Sequence, residues 1–94
     1  MISIFFPFFK QGDGLCKIGD GIGGSEKKLQ GSHTIQQCID AVRLQYPNAN
    51  GATMTEPCPN ECDCYAEFGM SDWNSDQSWQ SCIFAIRGKI RECQ

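Results

Sequence analysis

The clearest hydrophobic pattern along the chain is helical and lies in residues 34–46. Thr34 and Gln37 match a capping box, in which each side chain satisfies a free backbone amide at the start of a helix, and Pro47 ends the run. Five apolar side chains fall at helical spacing on one face: Ile35, Cys38, Ile39, Val42 and Tyr46. The pattern predicts an amphipathic helix over residues 34–46.

The rest of the chain consists of short strand-like segments separated by turn formers. These segments are GLCKIG, KLQG, GATMT, CYAEFGM and WQSCIFAIR. The stretches between them are rich in Gly, Pro, Asp, Asn and Ser, which favour turns. One helix embedded among short strands predicts an α+β fold, in which an amphipathic helix packs on a small antiparallel β-sheet.

Seven of the first ten residues, MISIFFPFFK, are large and apolar. In an extended strand Ile4 and Phe6 point to one face and Phe5 to the other, while Pro7 is tolerated at an edge or an end. The run is too short to span a bilayer as a helix, and it lacks the basic residue and the cleavage site of a secretory signal. A strand that is apolar on both faces needs cover on both sides.

We therefore predict an intermolecular arm. Residues 1–13 form an apolar arm and a glycine hinge, and residues 14–94 form a disulfide-rich domain. Insertion of the arm into the sheet of a neighbouring copy is strand addition, and head-to-tail repetition gives a filament unless it closes into a ring. The predicted assembly interface is Ile4, Phe5, Phe6, Phe8 and Phe9. Two alternatives stay open: the segment folds back as an edge strand of its own sheet, or the natural N-terminus differs from Met1.

The composition indicates an extracellular location and argues against nucleic acid as a partner. Seven cysteines in 94 residues indicate a disulfide framework and an oxidising, extracellular setting. A net charge of −3 and an isoelectric point near 4.9 argue against a nucleic-acid partner, because phosphate binding needs a basic face and the eight Lys and Arg are scattered. We expect a secreted protein without a membrane span.

Two motifs that suggest chemistry are weak. GDGIGG matches a dinucleotide-binding pattern, but no helix or second βα unit follows it, so a glycine-rich turn is expected. A Cys3His zinc site would need Cys58, Cys62, Cys64 and His33, but the Cys62-x-Cys64 spacing is too close for a standard zinc knuckle. No reactive cysteine stands apart from the structural ones. We therefore predict no metal, no cofactor, no catalytic residue and no enzymatic activity.

The segment SDWNSDQSW is a candidate carbohydrate site. Trp73 and Trp79 offer rings that stack on a sugar, and Asn74, Asp76 and Gln77 offer hydrogen bonds. The structural alternative is that Trp79 belongs to the core and that the polar residues form a turn.

Sugar can also be attached covalently, which would make the protein a glycoprotein. The chain has no N-x-S/T acceptor, and only the rare N-x-C form occurs, at Asn60. Attachment through Ser or Thr hydroxyls is the more plausible route.

The segments TIQQC, NGATM and WQSCIF, in this order, resemble the PAN/apple module over residues 14–93. The resemblance implies an extracellular helix-on-sheet fold that binds protein or carbohydrate and has no catalytic machinery. It also implies a Cys38–Cys82 disulfide and a Cys16–Cys93 disulfide. The chain departs from the family where a second helix cysteine would fall, at Val42, and in the density of CPNECDC.

For the remaining cysteines we predict a Cys58–Cys64 bridge, because neighbours in a C-x-C motif seldom join each other, and Cys62 is then the odd thiol. The sequence thus favours an extracellular structural protein that self-assembles into a homopolymer or filament through its N-terminal arm. The alternative is a carbohydrate-binding, lectin-like or protein-binding extracellular module.

Overall fold

The computed structural model describes residues 8–86. One helix packs on an antiparallel sheet, which confirms the predicted α+β class. The elements in chain order are β1 (Phe8–Gln11), β2 (Gly14–Ile18), β3 (Gly21–Ile22), β4 (Ser25–Ser32), α1 (Ile35–Gln45), β5 (Gly51–Thr55), β6 (Cys62–Phe68), β7 (Asp72–Trp73) and β8 (Trp79–Ile83).

The helix begins and ends where its sequence signals predict. Thr34 is the N-cap, its side chain accepts a hydrogen bond from the Gln37 amide, and the Gln37 side chain completes the capping box. At the other end the Tyr46 amide donates to the Val42 carbonyl. The buried stripe of α1 consists of Ile35, Cys38, Ile39 and Val42.

Six strands form the main sheet in the order β1-β2-β8-β5-β6-β4, and every neighbouring pair is antiparallel. The helix packs mainly on β5, β4 and β6. It covers one face of the sheet, where Ala52, Met54, Cys64 and Ala66 are buried. Strands β1 and β4 are therefore the two edges of the sheet.

A two-stranded ribbon, β3 paired with β7, lies on the other face. Side chains alternate between the two faces along β6, and Cys64 and Ala66 point towards the helix. Glu67 therefore points to the other face of the sheet. A Cβ atom at Gly21 of the ribbon would lie 3.0 Å from the Glu67 side-chain carboxyl carbon. The ribbon thus covers Glu67 from the face opposite the helix, and a side chain at Gly21 would force Glu67 and Met70 to shift.

Three disulfides hold these elements together, and none of them is a predicted pair. The structure joins Cys16 to Cys82, Cys38 to Cys64 and Cys58 to Cys62. The predictions of Cys38–Cys82, Cys16–Cys93 and Cys58–Cys64, with Cys62 left unpaired, are therefore wrong. Cys93 itself lies outside the described residues.

The positions of the cysteines in the sheet explain the observed pairs. Cys16 and Cys82 are direct partners in the register of β2 and β8, with Cα atoms 4.0 Å apart, so Cys82 bonds to its neighbour and not to the helix. Because α1 lies over β5 and β6, its Cys38 meets Cys64 instead. Cys58 and Cys62 close a short loop just before β6.

The predicted glycine hinge is a hairpin turn. Gln11 and Gly14 are partners in β1 and β2, so Gly12 and Asp13 form a two-residue turn between them. Gly12 has a φ of 63°, which the first position of a type II′ hairpin requires and which glycine adopts without strain. Asp13 also forms an ion pair with Arg43 of α1, at 2.7 Å.

This turn folds β1 back onto its own sheet. Phe8 and Phe9 therefore pair with β2 of their own sheet and do not leave the domain, so the hinge prediction is wrong, whereas their contact with another copy stays a prediction. The edge-strand alternative holds for this segment. The other predicted interface residues, Ile4, Phe5 and Phe6, lie outside the described residues. No helix between residues 8 and 86 is long and apolar enough to cross a membrane.

Candidate functional site

The outer side of β1, which we term the open edge, concentrates the exposed apolar surface. Within the described segment six large hydrophobic side chains are exposed, and four of them belong to the β1–β2 hairpin: Phe8, Phe9, Leu15 and Ile18. Each of the four is between 38% and 40% exposed. Such clustering at one place is unlike the scattered exposed hydrophobics of an ordinary surface.

The two phenylalanines place apolar surface on both faces of this edge. Phe8 lies on the ribbon face, where its ring is 5.3 Å from the Trp73 ring and Lys17 Nζ lies 5.4 Å from its centroid. Phe9 is the partner of Cys16, which is buried on the helix face. A strand added beside β1 would therefore meet an apolar side chain above and below it.

The backbone of β1 also has free hydrogen-bonding groups. In a two-residue hairpin the flanking residues, here Gln11 and Gly14, exchange both backbone hydrogen bonds. Bonding alternates along an antiparallel pair, so the N–H and C=O groups of Phe8 and Lys10 point away from β2. Among the strands that the structure describes, none lies on that side.

The outer side of β4, which we term the charged edge, is different. The first four residues of β4 are exposed, and three of them are the charged Glu26, Lys27 and Lys28. Lys28 Nζ lies 3.5 Å from Asp63 of β6. Lysines along an edge strand oppose the addition of another strand, because pairing would bury their charges.

A buried carboxyl group lies between the two edges, under the ribbon. Glu67 is only 2% exposed, and its Oε2 atom lies 2.6 Å from the Thr53 hydroxyl oxygen. The Thr53 oxygen lies 2.7 Å from the Ser81 hydroxyl oxygen, which donates to the Gly19 carbonyl at 2.8 Å. Ser81 also accepts, through its carbonyl, a hydrogen bond of 2.8 Å from Trp73 Nε1. A continuous chain thus links Glu67 to the ribbon.

Burial raises the pKa of Glu67 to about 7, and the nearby Glu26 and Asp20 carboxylates raise it further against the opposing effect of the Thr53 hydroxyl. Carboxylate oxygens of Asp20, Glu26 and Glu67 all lie within 4.8 Å of one another. Three carboxylates so close repel one another unless one keeps its proton. The group that keeps it is Glu67, the one buried away from water.

The predicted carbohydrate residues lie in a turn with internal hydrogen bonds. Asn74 Oδ1 accepts from the Asp20 and Asp76 amides, and Asp76 Oδ1 accepts from the Ser78 amide. The two indoles have different neighbours, Phe8 for Trp73 and Tyr65 for Trp79, at 5.3 and 5.8 Å between ring centroids. Sugar binding by Trp73, Asn74, Asp76 and Trp79 stays a prediction.

The two weak motifs have structural roles. GDGIGG contains β3 and the turn into β4, and a strand follows it where a nucleotide-binding helix would be required. Cys58, Cys62 and Cys64 all belong to disulfides, so they do not present the thiolates that a zinc ion needs.

Sequence reasoning missed the Glu67 network. Alternation along CYAEF places Glu67 opposite Ala66 and Cys64, and on a sheet with one face open to solvent that position is ordinary for a charged residue. The signal that something covers it is Gly21 in GDGIGG, but its proximity to Glu67 is a tertiary contact.

No protein-family model, no curated protein and no solved structure matches this chain.

Proposed function

We propose that this protein is an extracellular structural module without catalytic activity, and that its copies associate through the open edge of β1. One observation carries the proposal: β1 is an edge strand that is apolar on both faces and has free backbone groups on its outer side. Edge strands of this kind pair with other chains unless charge, proline or a covering element prevents it.

The disulfide framework supports the proposed compartment. Three bridges lie within residues 8–86, and disulfides form and persist in oxidising surroundings. They also make the body of the domain independent of the edge, because none of them involves β1.

The described edge supplies a modest driving force. Burying the remaining exposed surface of Phe8 and Phe9, the two side chains beside an added strand, contributes roughly 1 kcal/mol each before ordering costs. Backbone hydrogen bonds from Phe8 and Lys10 add direction rather than much free energy. The sequence before β1 contains Ile4, Phe5 and Phe6, which lie outside the described residues and would extend the apolar contact in either partner.

The two edges decide which assembly is favoured. A head-to-tail filament, as the sequence suggests, needs β1 of one copy to pair with β4 of the next, whose exposed Glu26, Lys27 and Lys28 oppose strand addition. Two β1 strands that pair around a two-fold axis need no second surface. We therefore propose an isologous dimer, with a sheet continuous across the two copies, as the product of association.

Light scattering on the native, oxidised protein over a range of concentrations tests the proposal. We expect a species of twice the 10.5 kDa chain mass, which a Phe9→Lys variant shifts at least tenfold towards monomer, because it places a charge where the partner strand packs. The matched control is Leu44→Lys, since Leu44 is 82% exposed on α1, away from the edge.

A wild-type protein that remains a 10.5 kDa monomer at every concentration would refute the proposal. Equal dissociation by Phe9→Lys and Leu44→Lys would refute the assignment to the open edge. Masses that increase without limit would show the head-to-tail filament instead of the dimer.

A further inference from the structure

The hydroxyl chain under the ribbon fixes the position of a proton. The Gly19 carbonyl only accepts, so the Ser81 hydroxyl must donate to it, and the Ser81 oxygen then accepts from Thr53. The single hydrogen of Thr53 is used in that bond. If the Glu67–Thr53, Thr53–Ser81 and Ser81–Gly19 contacts are all hydrogen bonds at once, Glu67 must donate to Thr53 at 2.6 Å instead of accepting from it, which requires a protonated carboxyl group.

When Glu67 is deprotonated, the hydrogen-bond network from Glu67 through Thr53 and Ser81 to Gly19 has one hydrogen too few. The two hydroxyl hydrogens of Thr53 and Ser81 must then serve three contacts: Glu67–Thr53, Thr53–Ser81 and Ser81–Gly19. Every arrangement leaves one of these buried contacts without a proton, and unsatisfied buried polar groups are costly.

We propose that Glu67 is a proton switch that holds the β3–β7 ribbon, and Trp73 with it, against the sheet when protonated and releases the ribbon when it loses its proton. The backbone next to the ribbon is fixed at two points, where the Gly19 amide donates to the Trp79 carbonyl at 2.7 Å and the Asn50 side chain bonds the Met70 amide and carbonyl. Trp73 and the hydroxyl network at Glu67 hold the ribbon itself. The hydrogen bond from Trp73 Nε1 to the Ser81 carbonyl connects the indole to Ser81, whose hydroxyl lies between Thr53 and Gly19 in the hydrogen-bond network.

The acidic groups that face Glu67 from the surrounding elements also oppose its deprotonation. Glu26 is its direct partner on β4, and Asp20 immediately precedes β3, so a negative Glu67 repels the base of the ribbon itself. Strands β5 and β8 contribute only the hydroxyls of Thr53 and Ser81.

No cation is committed to Glu67 from these elements. On β4 the side chain of Lys28 is paired with Asp63 of β6, and on β2 Lys17 Nζ lies over the Phe8 and Trp73 rings. On β7 the Asp72 carboxylate accepts from the Trp73 amide. Deprotonation of Glu67 is therefore not offset by a neighbouring positive charge.

The switch operates near neutrality. Because burial raises the pKa of Glu67 to about 7, the ribbon is held in mildly acidic solution and released in mildly alkaline solution. The proposal does not depend on association through the open edge.

Heteronuclear NMR of the oxidised wild-type protein across roughly pH 5 to 9 tests the switch directly. We expect the Glu67 side-chain carboxyl carbon to titrate with a midpoint near 7, and the Trp73 indole N–H to shift with the same midpoint and lose protection from exchange above it. A Glu67 carboxyl that titrates near its ordinary value of 4.5, or an indole that stays unchanged through the Glu67 titration, would overturn the proposal.

A variant pair separates the switch from general charge effects. In Glu67→Gln the amide donates to Thr53 at every pH, so we expect the Trp73 transition to disappear and the ribbon to stay held. Glu61→Gln removes the same charge from an exposed loop and should keep the wild-type transition. A Trp73 transition that persists in Glu67→Gln would assign it to another group, and if that variant does not fold, the wild-type titration decides alone.

Discussion

The two edges of the main sheet have opposite chemistry. The open edge at β1 presents phenylalanine on both faces and free backbone groups, whereas the charged edge at β4 presents glutamate and two adjacent lysines. β4 therefore carries more of the protection against strand addition that soluble sheets commonly have, with Glu26, Lys27 and Lys28 exposed, whereas β1 has the single exposed lysine Lys10 beside its two phenylalanines. On the proposed association, β1 is the side that accepts another strand, and the predictions below test this difference.

The edges also differ in how they are attached to the body of the domain. β1 pairs in the sheet only with β2, although Gln11 also donates to Gln36 of α1, and β2 is fixed to β8 by the Cys16–Cys82 bridge. β4 lies beside β6, which the Cys38–Cys64 bridge fixes to the helix. Each edge thus depends on its own disulfide, one strand inwards.

Removing the bridge on the β1 side should have the largest effect. The Cys16→Ala, Cys82→Ala double variant opens a loop of 66 residues, and we expect the free energy of unfolding to fall by roughly 4 kcal/mol. Urea unfolding measures the loss, and amide exchange should show it concentrated in β1 and β2 rather than in β4. An unfolding curve that matches the wild type would contradict the view that this bridge anchors the open edge.

Glu67 connects the two edges, because its direct partner Glu26 belongs to β4 and the ribbon above it packs on Phe8 of β1. Its pKa rises from 4.5 to about 7 on folding, so the folded state binds the extra proton. The stability from this proton is fully present below pH 4.5 and is lost as the pH rises through 7.

We expect this loss to reach roughly 3 kcal/mol by mildly alkaline pH. Denaturant unfolding at a series of pH values should show the decline in the wild type and in Glu61→Gln but not in Glu67→Gln. Parallel pH profiles for all three proteins would show that Glu67 does not carry the effect.

Removing the two lysines of β4 should make the two edges more alike. In a Lys27→Val, Lys28→Thr variant β4 loses both edge lysines, and we expect association beyond the dimer to strengthen about tenfold, or about 1.4 kcal/mol. Sedimentation velocity measures the size distribution. The matched control, Lys10→Thr, changes a lysine within β1 itself and should not create larger species; if it does, charge alone and not the choice of edge governs association.

Local signals in the sequence predicted much of this fold. The Thr34–Gln37 capping box and Pro47 placed the helix to within a residue at each end, and GATMT is β5 without change. These features depend on neighbours in sequence, so they can be read there. The turn at Gly12 and Asp13 was also readable, because Gly followed by a second residue between strands favours a two-residue hairpin; interpreting it as a hinge misplaced β1.

The features that the sequence did not reveal depend on contacts between distant elements. Cys82 pairs with Cys16 because β8 lies next to β2, an order that no local pattern encodes. Glu67 is buried because Gly21, far from it in sequence, lies over it. Alternation along a strand tells which face a side chain is on but not what covers that face.

Amide hydrogen exchange at two protein concentrations, roughly hundredfold apart, tests the central claim most directly. If copies pair through the open edge, the outward-facing amides of Phe8 and Lys10 become more protected at the higher concentration, while the amides of β4 keep the same exchange rates. Equal exchange of the β1 amides at both concentrations would contradict association through this edge, and protection that rises in β1 and β4 together would contradict the symmetric dimer.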